Sequence, residues 1–464
     1  MKRDQIYIGI DASKGYSDFI LYKQEKVQLE TGFQLDDNFT GHEILIEKIT
    51  KLTEEGFCVI CGIENTGGYE RNWVKAIKKL SKKNAHVEIY KLNPRAVKHQ
   101  IQSMMKRTVN DSVSAEGIAM YMINNYEVFK DNWVKSISES EETTEEKMLN
   151  NMIHGLLKQR TMKKNQLEKV LYQSFPEILK DLNGAKWVYL LLKKYPSAAA
   201  VKRAKLAGLQ SIRGISERKA IELKERARNS VSALSGEIPE LIVSKHCEYI
   251  LSLSEEIDEL KNILIKSYDD NEDVQLLTNI QGIGSWTAVS FYIELGDPTR
   301  FDTASQLASF FGVNPTFKQS GDGRYKSKMS KQGSPRMRAV LYLMAHNLFM
   351  QNDYFKNIYA GHRAKGKTHR VVMGILMHKI LRVAWGMIKS KTEFDPGVDI
   401  KNQEKNQDNA ATEKPLSEKS RRLQELSLDA PISKRNKKKR KAMLEPQPST
   451  MEENTRSEHS QSQT

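Results

Sequence analysis

Three carboxylates, Asp11, Glu64 and Asp111, have the residue type and the placement to bind catalytic metal ions. Asp11 follows the apolar run 6–10 and Glu64 follows the apolar run 57–63, and such runs are typical of buried strands. Neighbouring strands of a sheet bring their ends together, so these acids can converge. Carboxylate oxygens are ligands that Mg²⁺ prefers, and two Mg²⁺ ions about 4 Å apart activate a nucleophile and stabilise a leaving phosphate oxygen. From these residues alone, a surface or capping role for each acid is an open alternative.

The elements that must position these acids predict a mixed α/β domain over residues 1–130. The pattern gives three strands, a helix, a strand, a helix and a further strand, which is the element order of a ribonuclease-H-like fold. Helices from Pro94 onward follow the last strand. After the strand that carries Asp11, the predicted elements are strands at 18–22, 26–33 and 87–90 and helices over 38–52 and up to Leu80.

Two long helices are predicted in the region 138–270, which we expect to be a helical linker or dimerisation arm. The first covers about 138–180, where helix breakers are few before Pro176. The second repeats apolar residues at spacings of three and four, which is a short heptad seam. The helices can pack on each other within one chain or on a partner chain, and the sequence leaves both open. The seam consists of Ile250, Leu253, Ile257, Leu260 and Leu264.

A glycine turn in the following region, 271–394, has the pattern of a helix-hairpin-helix motif. Gly282 and Gly284 flank Ile283 in front of a predicted helix, and a weaker copy at 212–216 precedes another. Such a turn exposes backbone N–H groups at a helix start, where a phosphate can bind without sequence readout. An ordinary glycine-bearing connection between helices is the alternative.

The charge of the chain favours a polyanionic partner. The 464 residues hold 73 Lys and Arg against 58 Asp and Glu, and the net charge of +15 attracts nucleic acid. The tail, 395–464, has no aromatic residue and is expected to be disordered. Its basic run at 434–441 is either a solvated charge run or an added contact for nucleic acid.

The cysteines and the amino terminus indicate a soluble intracellular protein. Cys58, Cys61 and Cys247 have neither disulfide nor zinc spacing, and we interpret Cys58 and Cys61 as core residues of a strand. No signal peptide and no apolar stretch of membrane-spanning length is recognised. A membrane partner is therefore not expected.

A second constellation lies between Lys318 and Arg338, where seven basic residues surround Ser320 and Asp322 is the only acid. A serine beside a glycine can expose its Oγ in a turn, and nearby cations would stabilise an attacked phosphate. From the residues alone, Ser-Gly-Asp-Gly can equally be a plain turn. The seven basic residues are Lys318, Arg324, Lys326, Lys328, Lys331, Arg336 and Arg338.

A series of short motifs over residues 6–389 resembles the insertion-sequence transposases of the one-hundred-and-ten family, relatives of the Piv DNA invertase. The amino-terminal motifs are Gly-Ile-Asp-Ala-Ser-Lys at 9–14, Ile-Glu-Asn-Thr-Gly-Gly-Tyr-Glu at 63–70 and the stretch 110–119. The later motifs are Gly-Ile-Gly at 282–284, the stretch 296–301, Ser-Gly at 320–321 and Lys-Gln-Gly at 331–333.

The resemblance implies a RuvC-like DEDD domain, a helical linker and a carboxy-terminal transposase domain with a catalytic serine. It implies that Asp11, Glu64 and Asp111 bind metal and that Ser320 is the nucleophile, forming a covalent phosphoserine link to cut DNA. Family members assemble composite sites across protomers, so a homo-oligomer, either a dimer or a tetramer, is expected. They also choose target and donor DNA with a bridge RNA encoded by the element. The implied location is the bacterial cytoplasm, in association with the nucleoid.

One position departs from the family pattern. The pattern Asp-x-x-Asp-Ala-x-x-Ile-Ala is matched from Asp111 to Ala119, but Ser114 stands at the fourth acid. Positions 111 and 114 share a helix face, so carboxylates at both would reach the metals. A neutral hydroxyl is a poorer Mg²⁺ ligand, and this should weaken at least one metal site. Glu116 is rotated away on the helix and is not expected to replace the missing acid.

The leading hypothesis is a DNA transposase or site-specific recombinase that cuts and rejoins strands with Ser320, assisted by Mg²⁺ at the three acids. A RuvC-like junction nuclease that uses water, with Ser320 merely structural, is an alternative from another class of enzyme. A catalytically decayed nucleic-acid-binding remnant, disabled by Ser114, is a third. A covalent protein–DNA band on a denaturing gel distinguishes the first from the other two.

Overall fold

The computed structural model describes residues 3–64, 67–105, 111–137, 141–182, 185–316, 319–320, 323–324, 328–398, 400–401, 427–429 and 432–444. The chain folds as two compact units. The first consists of Met1–Asn151 and Gly296–Asp302, and the second of Met152–Leu295 and Thr303–Thr464.

The first unit contains a five-stranded sheet with helices packed on both faces. Its strands are β1 (Gln5–Ala12), β2 (Tyr16–Lys23), β3 (Phe33–Asp36), β4 (Cys58–Glu64) and β5 (Val87–Leu92). Its helices are α1 (Phe39–Glu54), α2 (Arg71–Ser81), α3 (Pro94–Ser103) and α4 (Asp111–Ile137). The strand order is β3-β2-β1-β4-β5, in which β2 is antiparallel to β1 and β3, whereas β1, β4 and β5 are parallel. The predicted mixed α/β domain is therefore confirmed.

The two faces of the sheet bury different parts of the alternating strands. On one face, Ile8 of β1 lies in a core with Leu45 of α1 and Trp73 of α2. On the other face, Tyr7 of β1 lies in a core with Ile118 of α4. This two-sided burial is why the central strands are continuous apolar runs. The three cysteines are free, with Cys61 and Cys247 buried and Cys58 half-buried.

Two glycines allow α4 to approach the central strands closely. A Cβ at Gly9 of β1 would overlap the backbone of Ala115 in α4, and a Cβ at Gly62 of β4 would overlap the side chain of Met122. Because glycine has no Cβ, α4 lies directly against β1 and β4. The helix begins at Asp111. This close packing therefore brings Asp111 to the neighbourhood of the two central strands.

The predicted strand 26–33 is only partly formed, because an isolated antiparallel bridge joins Gln28 to Tyr22 and the regular strand β3 begins at Phe33. Lys26 has a φ of 64° in the turn after β2, and the stretch then runs along the surface. Val27 and Leu29 are 57% and 37% exposed. Their apolar side chains suggested a strand, but no packed layer covers them, and strand preference depends on such packing.

Within the described residues, the second unit consists of helices and two short pairs of strands. The strands are β6 (Pro315–Thr316), β7 (Gln319–Ser320), β8 (Gly323–Arg324) and β9 (Lys328–Met329). The helices, of which the first enters from the first unit, are α5 (Glu141–Ser174), α6 (Lys186–Lys194), α7 (Ala198–Arg203), α8 (Leu206–Gln210), α9 (Glu217–Arg228), α10 (Glu237–Lys266), α11 (Glu272–Thr278), α12 (Ser285–Leu295), α13 (Ala304–Phe310), α14 (Pro335–Gln351), α15 (Asp353–Ala364) and α16 (His369–Ser390).

The predicted long helices correspond to α5 and α10, and they pack within the one chain. Cys247 and Ile250 of α10 share a buried core with Leu167 of α5. Ile257 and Leu264 of the predicted seam are also buried. The seam is therefore used inside the protomer, which is one of the two arrangements the sequence allowed.

Three expectations about helices differ from the structure. Helix α5 ends at Ser174, and Pro176–Asp181 is a 3-10 helix, since proline cannot continue the α-helical hydrogen bonding. In the tail expected to be disordered, Lys434–Leu444 is a helix, and its Lys, Arg, Ala, Met and Leu are good helix formers. Helix α16 does have the length and hydropathy of a membrane span, but 56% of its apolar stretch is buried inside the protein.

Candidate active site

Asp11 and Glu64 lie side by side at one edge of the sheet. Parallel β1 and β4 pair Ile10 with Ile63, so the residues that follow stand at equivalent positions on the two strands. Asp111, at the start of α4, is close enough for its charge to act on Asp11. The structure therefore brings together the three acids that the sequence singled out.

Burial favours the protonated forms of Asp11 and Glu64, and repulsion from neighbouring acids adds to this effect at Asp11. Burial first, and then the charges of Asp111 and Glu64, raise the pKa of Asp11 to about 7. Burial also raises the pKa of Glu64. The Tyr16 hydroxyl donates a hydrogen bond to Oδ2 of Asp111 at 3.3 Å. Crowded carboxylates of this kind are stabilised by a bound cation.

A fourth carboxylate, Asp18, was missed by the sequence analysis. It lies directly opposite Asp11 in the antiparallel β1–β2 pair, and its charge also raises the pKa of Asp11. Gln34 on β3 donates a hydrogen bond to Asp18 Oδ2 at 3.2 Å. The signal for this residue is the tight turn between β1 and β2, which fixes the pairing register. Asp11, Asp18, Glu64 and Asp111 are called the acid cluster below.

Ser114 faces the acid cluster. Its hydroxyl lies close enough to Asp11 to lower the pKa of that carboxyl, against the burial and the neighbouring charges that raise it. Glu116, in contrast, lies near Tyr22, where burial first and then the Glu116 charge raise the pKa of the phenol. The helix face expected for position 114 is therefore the one that the structure presents to the acids, whereas position 116 points elsewhere.

The donor set of the acid cluster suits a hard divalent cation. Carboxylate oxygens and a hydroxyl are the donors that Mg²⁺, Mn²⁺ and Ca²⁺ prefer. Within the part of the chain that the structure describes, no group of three His, Cys, Asp or Glu side chains is arranged closely enough to hold one metal ion. The fold thus brings the acids of the cluster near one another, but their side chains are not arranged as the ligands of one metal ion.

Ser320 lies in the segment between α13 and α14, which contains two antiparallel strand pairs. β6 pairs with β9, with Thr316 opposite Lys328, and β7 pairs with β8, with Ser320 opposite Gly323. We call residues 315–329 the serine arm. The register places Ser320 at the end of β7, adjoining the segment 321–322 that lies outside the described residues.

The base of the serine arm is held by close backbone contacts at two glycines. A Cβ at Gly312, where φ is +67°, would overlap the backbone of Gln332, and one at Gly333, where φ is +124°, would overlap the carbonyl of Phe310. Lys331, also at positive φ, donates its N–H to Gly312 O at 2.9 Å. The Lys-Gln-Gly motif at 331–333 therefore has a packing reason, because only glycine fits this approach.

Glu294 of α12 anchors the start of α14 just after the arm. Its Oε2 accepts a hydrogen bond from Ser334 Oγ at 2.7 Å, and its Oε1 forms an ion pair with Arg336 at 2.9 Å. The Glu294 side chain is 7% exposed. Arg338 donates hydrogen bonds to the carbonyls of Phe311 and Gly333. These two arginines, predicted to bind nucleic acid, are therefore engaged in holding the arm's base.

The remaining predicted contacts for nucleic acid have different settings. Lys328 and Lys331 are exposed. Arg324 is placed by its backbone alone, in β8, and Lys318 and Lys326 lie outside the described residues.

In the glycine turn, Gly282 has a φ of +104° and packs against the backbone of α14 near Leu348, whereas Gly284 is open to solvent. Its packing gives Gly282 a structural role, and only Gly284 leaves room for a ligand.

Two transposase family models match the chain. Residues 8–176 match a DEDD-type model of IS110 transposases, described as Transposase, and residues 274–360 match a model described as Transposase IS116/IS110/IS902 family. The first match spans the acid cluster and the second spans the serine arm. The molecule is thus a transposase with a DEDD domain, for which divalent metal dependence is expected.

The chain belongs to the IS110 family, because the two models together cover more than half of it. It is similar to the insertion element IS110 uncharacterized 43.6 kDa protein of Streptomyces coelicolor, at 23% identity over 56% of this chain and 67% of the relative. It is also similar to the pilin gene-inverting protein of Moraxella bovis, at 30% identity over 27% of this chain and 39% of the relative.

A third relative is the transposase for insertion sequence element IS1111A of Coxiella burnetii, at 27% identity over 30% of this chain and 41% of the relative. The matches span about two thirds of the insertion element relatives from Streptomyces and less than half of the Moraxella and Coxiella relatives.

Proposed function

We propose that this protein cuts and rejoins DNA through a covalent link to Ser320, assisted by Mg²⁺ held by Asp11, Glu64 and Asp111. The observation that carries the proposal is the convergence of these acids at one sheet edge, within the segment that matches the DEDD model. The strand order and the acid positions support a RuvC-like fold for this unit. The pilin gene-inverting relative supports recombination as the outcome.

Each residue has a chemical task in this proposal. The Ser320 Oγ attacks a DNA phosphorus, forming the Oγ–P bond while the bond from phosphorus to a deoxyribose oxygen breaks. The released sugar hydroxyl, or another like it, reverses the step and rejoins the strand. Mg²⁺, when bound, would neutralise charge on the attacked phosphate. The acids Asp11, Glu64 and Asp111 would fix its position, and the Ser114 hydroxyl would orient Asp11.

The proposal includes an RNA guide and an oligomer, both taken from the family resemblance. A bridge RNA would select target and donor DNA, and a dimer or tetramer would combine the acids of one protomer with the serine of another. The domains would be 1–130 for the DEDD unit, 138–270 for the linker and 271–394 for the serine domain. The site of action would be the bacterial cytoplasm, at the nucleoid.

The test is a denaturing gel with the full chain, the DNA that flanks its own gene, and the transcript of the adjoining non-coding segment. The wild-type protein should give a slow-migrating covalent protein–DNA band in Mg²⁺. Ser320→Ala should lose that band, while Ser309→Ala, an exposed serine on α13, should keep it. Retention of the band by Ser320→Ala would contradict the proposal. Free cut strands without any covalent band would favour the water-using nuclease.

A further inference from the structure

A basic turn joins α15 to α16, and the nearest acids along the chain are Asp353, at the start of α15, and Glu393, beyond α16. Residues 354–392 contain nine Lys and Arg and no Asp or Glu. Four of these cations fall within eight residues of the turn, and α14, which packs against both helices, contributes no acid either. We call Arg363, Lys365, Lys367 and Arg370 the basic turn.

The cations of the basic turn are not neutralised by the protein. Arg363, Lys365 and Arg370 are exposed, and Lys367 is half-buried. Among the described residues none of the four has an acid within ion-pair distance, although Lys391 at the far end of α16 pairs with Asp273. Cations clustered on one surface without acidic partners cost stability through mutual repulsion.

Helix geometry adds to the positive potential. Arg370 lies in the first turn of α16, which has no acidic residue, so its charge adds to the positive end of the helix dipole. His362 accepts a hydrogen bond from Lys367 Nζ at 3.3 Å, and burial with the neighbouring lysines lowers its pKa. The turn therefore maintains a positive field even where a histidine is neutral.

The turn is held in a fixed shape. Arg363 Nη1 donates to the Lys367 carbonyl at 2.7 Å, and Gly366, at a φ of +74°, donates its N–H to the Arg363 carbonyl at 2.9 Å. Behind it, Tyr359 shares a hydrogen bond of 2.8 Å with His369 Nδ1 and stacks on Phe349 of α14. A rigid basic surface loses little entropy when it binds an anionic partner.

We propose that the basic turn binds the phosphodiester backbone of a nucleic acid. The partner is identified by charge complementarity, since a polyphosphate backbone offers evenly spaced anions to a compact set of cations. This inference deepens the proposed function by assigning part of the nucleic-acid contact that it requires. It adds a surface outside the serine arm and the glycine turn.

The experiment measures binding of the full chain to a fluorescent DNA duplex and, separately, to an RNA hairpin, over a series of salt concentrations. The variant is Lys365→Gln, Lys367→Gln, Arg370→Gln. The matched control is Lys186→Gln, Lys193→Gln, Lys245→Gln, which removes three positive charges from exposed ion pairs on α6 and α10. Both proteins have the same net charge, so long-range attraction is equal.

The basic-turn variant should bind at least about tenfold more weakly than wild type at roughly 0.1 M salt, and its salt dependence should fall by about one unit of slope per lost phosphate contact. The control should stay within about twofold of wild type. Weakening confined to the duplex would identify DNA, and weakening confined to the hairpin would identify RNA. Equal affinities of variant and control for both probes would overturn the proposal.

Two further measurements distinguish the loss of a nucleic-acid contact from misfolding of the variant and from failure of the proposed function. Lys365→Gln with Arg370→Gln removes only side chains without hydrogen bonds to described residues, so this pair should reproduce most of the effect if the triple variant fails to fold. If wild type forms the Ser320 adduct and a folded basic-turn variant binds nucleic acid as wild type does, the basic-turn proposal is rejected. The proposed function is then retained. Loss of binding without any wild-type adduct would retain the turn and reject the proposed function.

Discussion

The acid cluster and the serine arm are built in opposite ways. The cluster crowds like charges on a sheet edge, where the pKa of Asp11 is raised to about 7. The base of the arm pairs its polar groups instead, through Glu294 with Ser334 and Arg336. The first unit therefore loses stability where it crowds like charges, whereas the second unit is stabilised by paired polar groups and close backbone packing.

The largest expected effect comes from removing a carboxylate from the cluster. Glu64→Ala should reduce DNA cleavage by at least about a thousandfold, because it deletes a metal ligand next to Asp11. DNA binding should change little, since the substitution removes no cation. A strand-cleavage assay combined with calorimetric Mg²⁺ titration measures both properties.

Glu43→Ala provides the control for that prediction, because Glu43 is an exposed carboxylate on α1. It should cleave and bind Mg²⁺ as the wild type does. Unimpaired cleavage by Glu64→Ala would show that Glu64 is not part of the catalytic site and would contradict the role proposed for the acid cluster.

Gly333→Ala tests the geometric half of the comparison. The added Cβ would overlap the Phe310 carbonyl at a φ of +124°, so the free energy of unfolding of the second unit should fall by about 2–4 kcal/mol. Cleavage should drop with it, while Mg²⁺ affinity in the first unit should be unchanged. Chemical denaturation monitored by tryptophan fluorescence measures the loss.

Gly386→Ala is the matched control, because Gly386 lies within α16 with open space around its Cα. This change should be neutral or stabilise the protein by up to about 1 kcal/mol. If Gly333→Ala has the same stability as Gly386→Ala, the close backbone contact between Gly333 and Phe310 does not determine the shape of the serine arm.

Ser114→Asp tests the electrostatics of the acid cluster. Ser114 already lies close enough to Asp11 to influence its pKa, so a carboxylate there adds oxygen ligands and a negative charge to the cluster. The Mg²⁺ concentration for half-maximal cleavage should fall by about threefold to tenfold, and the metal-free protein should become less stable through added repulsion. Ser112→Asp, on an exposed position of the same helix, should leave the metal titration unchanged.

The smallest effect concerns pH and the second unit. His154 of α5 shares a 3.1 Å hydrogen bond with Ser290 of α12, and burial lowers its pKa. Below the ordinary histidine pKa of about 6.5, His154 takes up a proton more readily in the unfolded chain than in the folded protein. The free energy of unfolding therefore decreases as the pH is lowered through this range. His154→Gln should reduce the loss between pH 7.5 and 5.5, whereas exposed His346→Gln should leave it unchanged. Equal pH dependence of all three proteins would contradict this account.

The sequence was sufficient where a local pattern determined the structure. Apolar runs before Asp11 and Glu64 identified the central strands, and the helix period placed Ser114 on the face of Asp111. Asp18 escaped notice because its position depends on pairing register. The stretch 26–33 was assigned as one strand although Val27 and Leu29 are exposed and regular pairing begins only at Phe33.

The arm shows a second limit of the sequence. Gly312 and Gly333 are ordinary in sequence, and only the approach of Phe310 and Gln332 reveals why glycine stands there. Arg336 and Arg338 were predicted to contact nucleic acid, and the sequence did not reveal that they also bind Glu294 and backbone carbonyls. Long-range packing of this kind leaves no local periodicity.

The most direct test of the central claim, that the acid cluster and Ser320 serve one covalent step, is peptide mass spectrometry of the trapped protein–DNA adduct after nuclease digestion. Wild-type protein in Mg²⁺ should yield a nucleotide-bearing peptide modified at Ser320, and Asp11→Asn should reduce its yield at least about a hundredfold while the protein remains folded and bound to DNA. An equal yield of modified Ser320 from Asp11→Asn, or modification of another residue in wild type, would contradict the account.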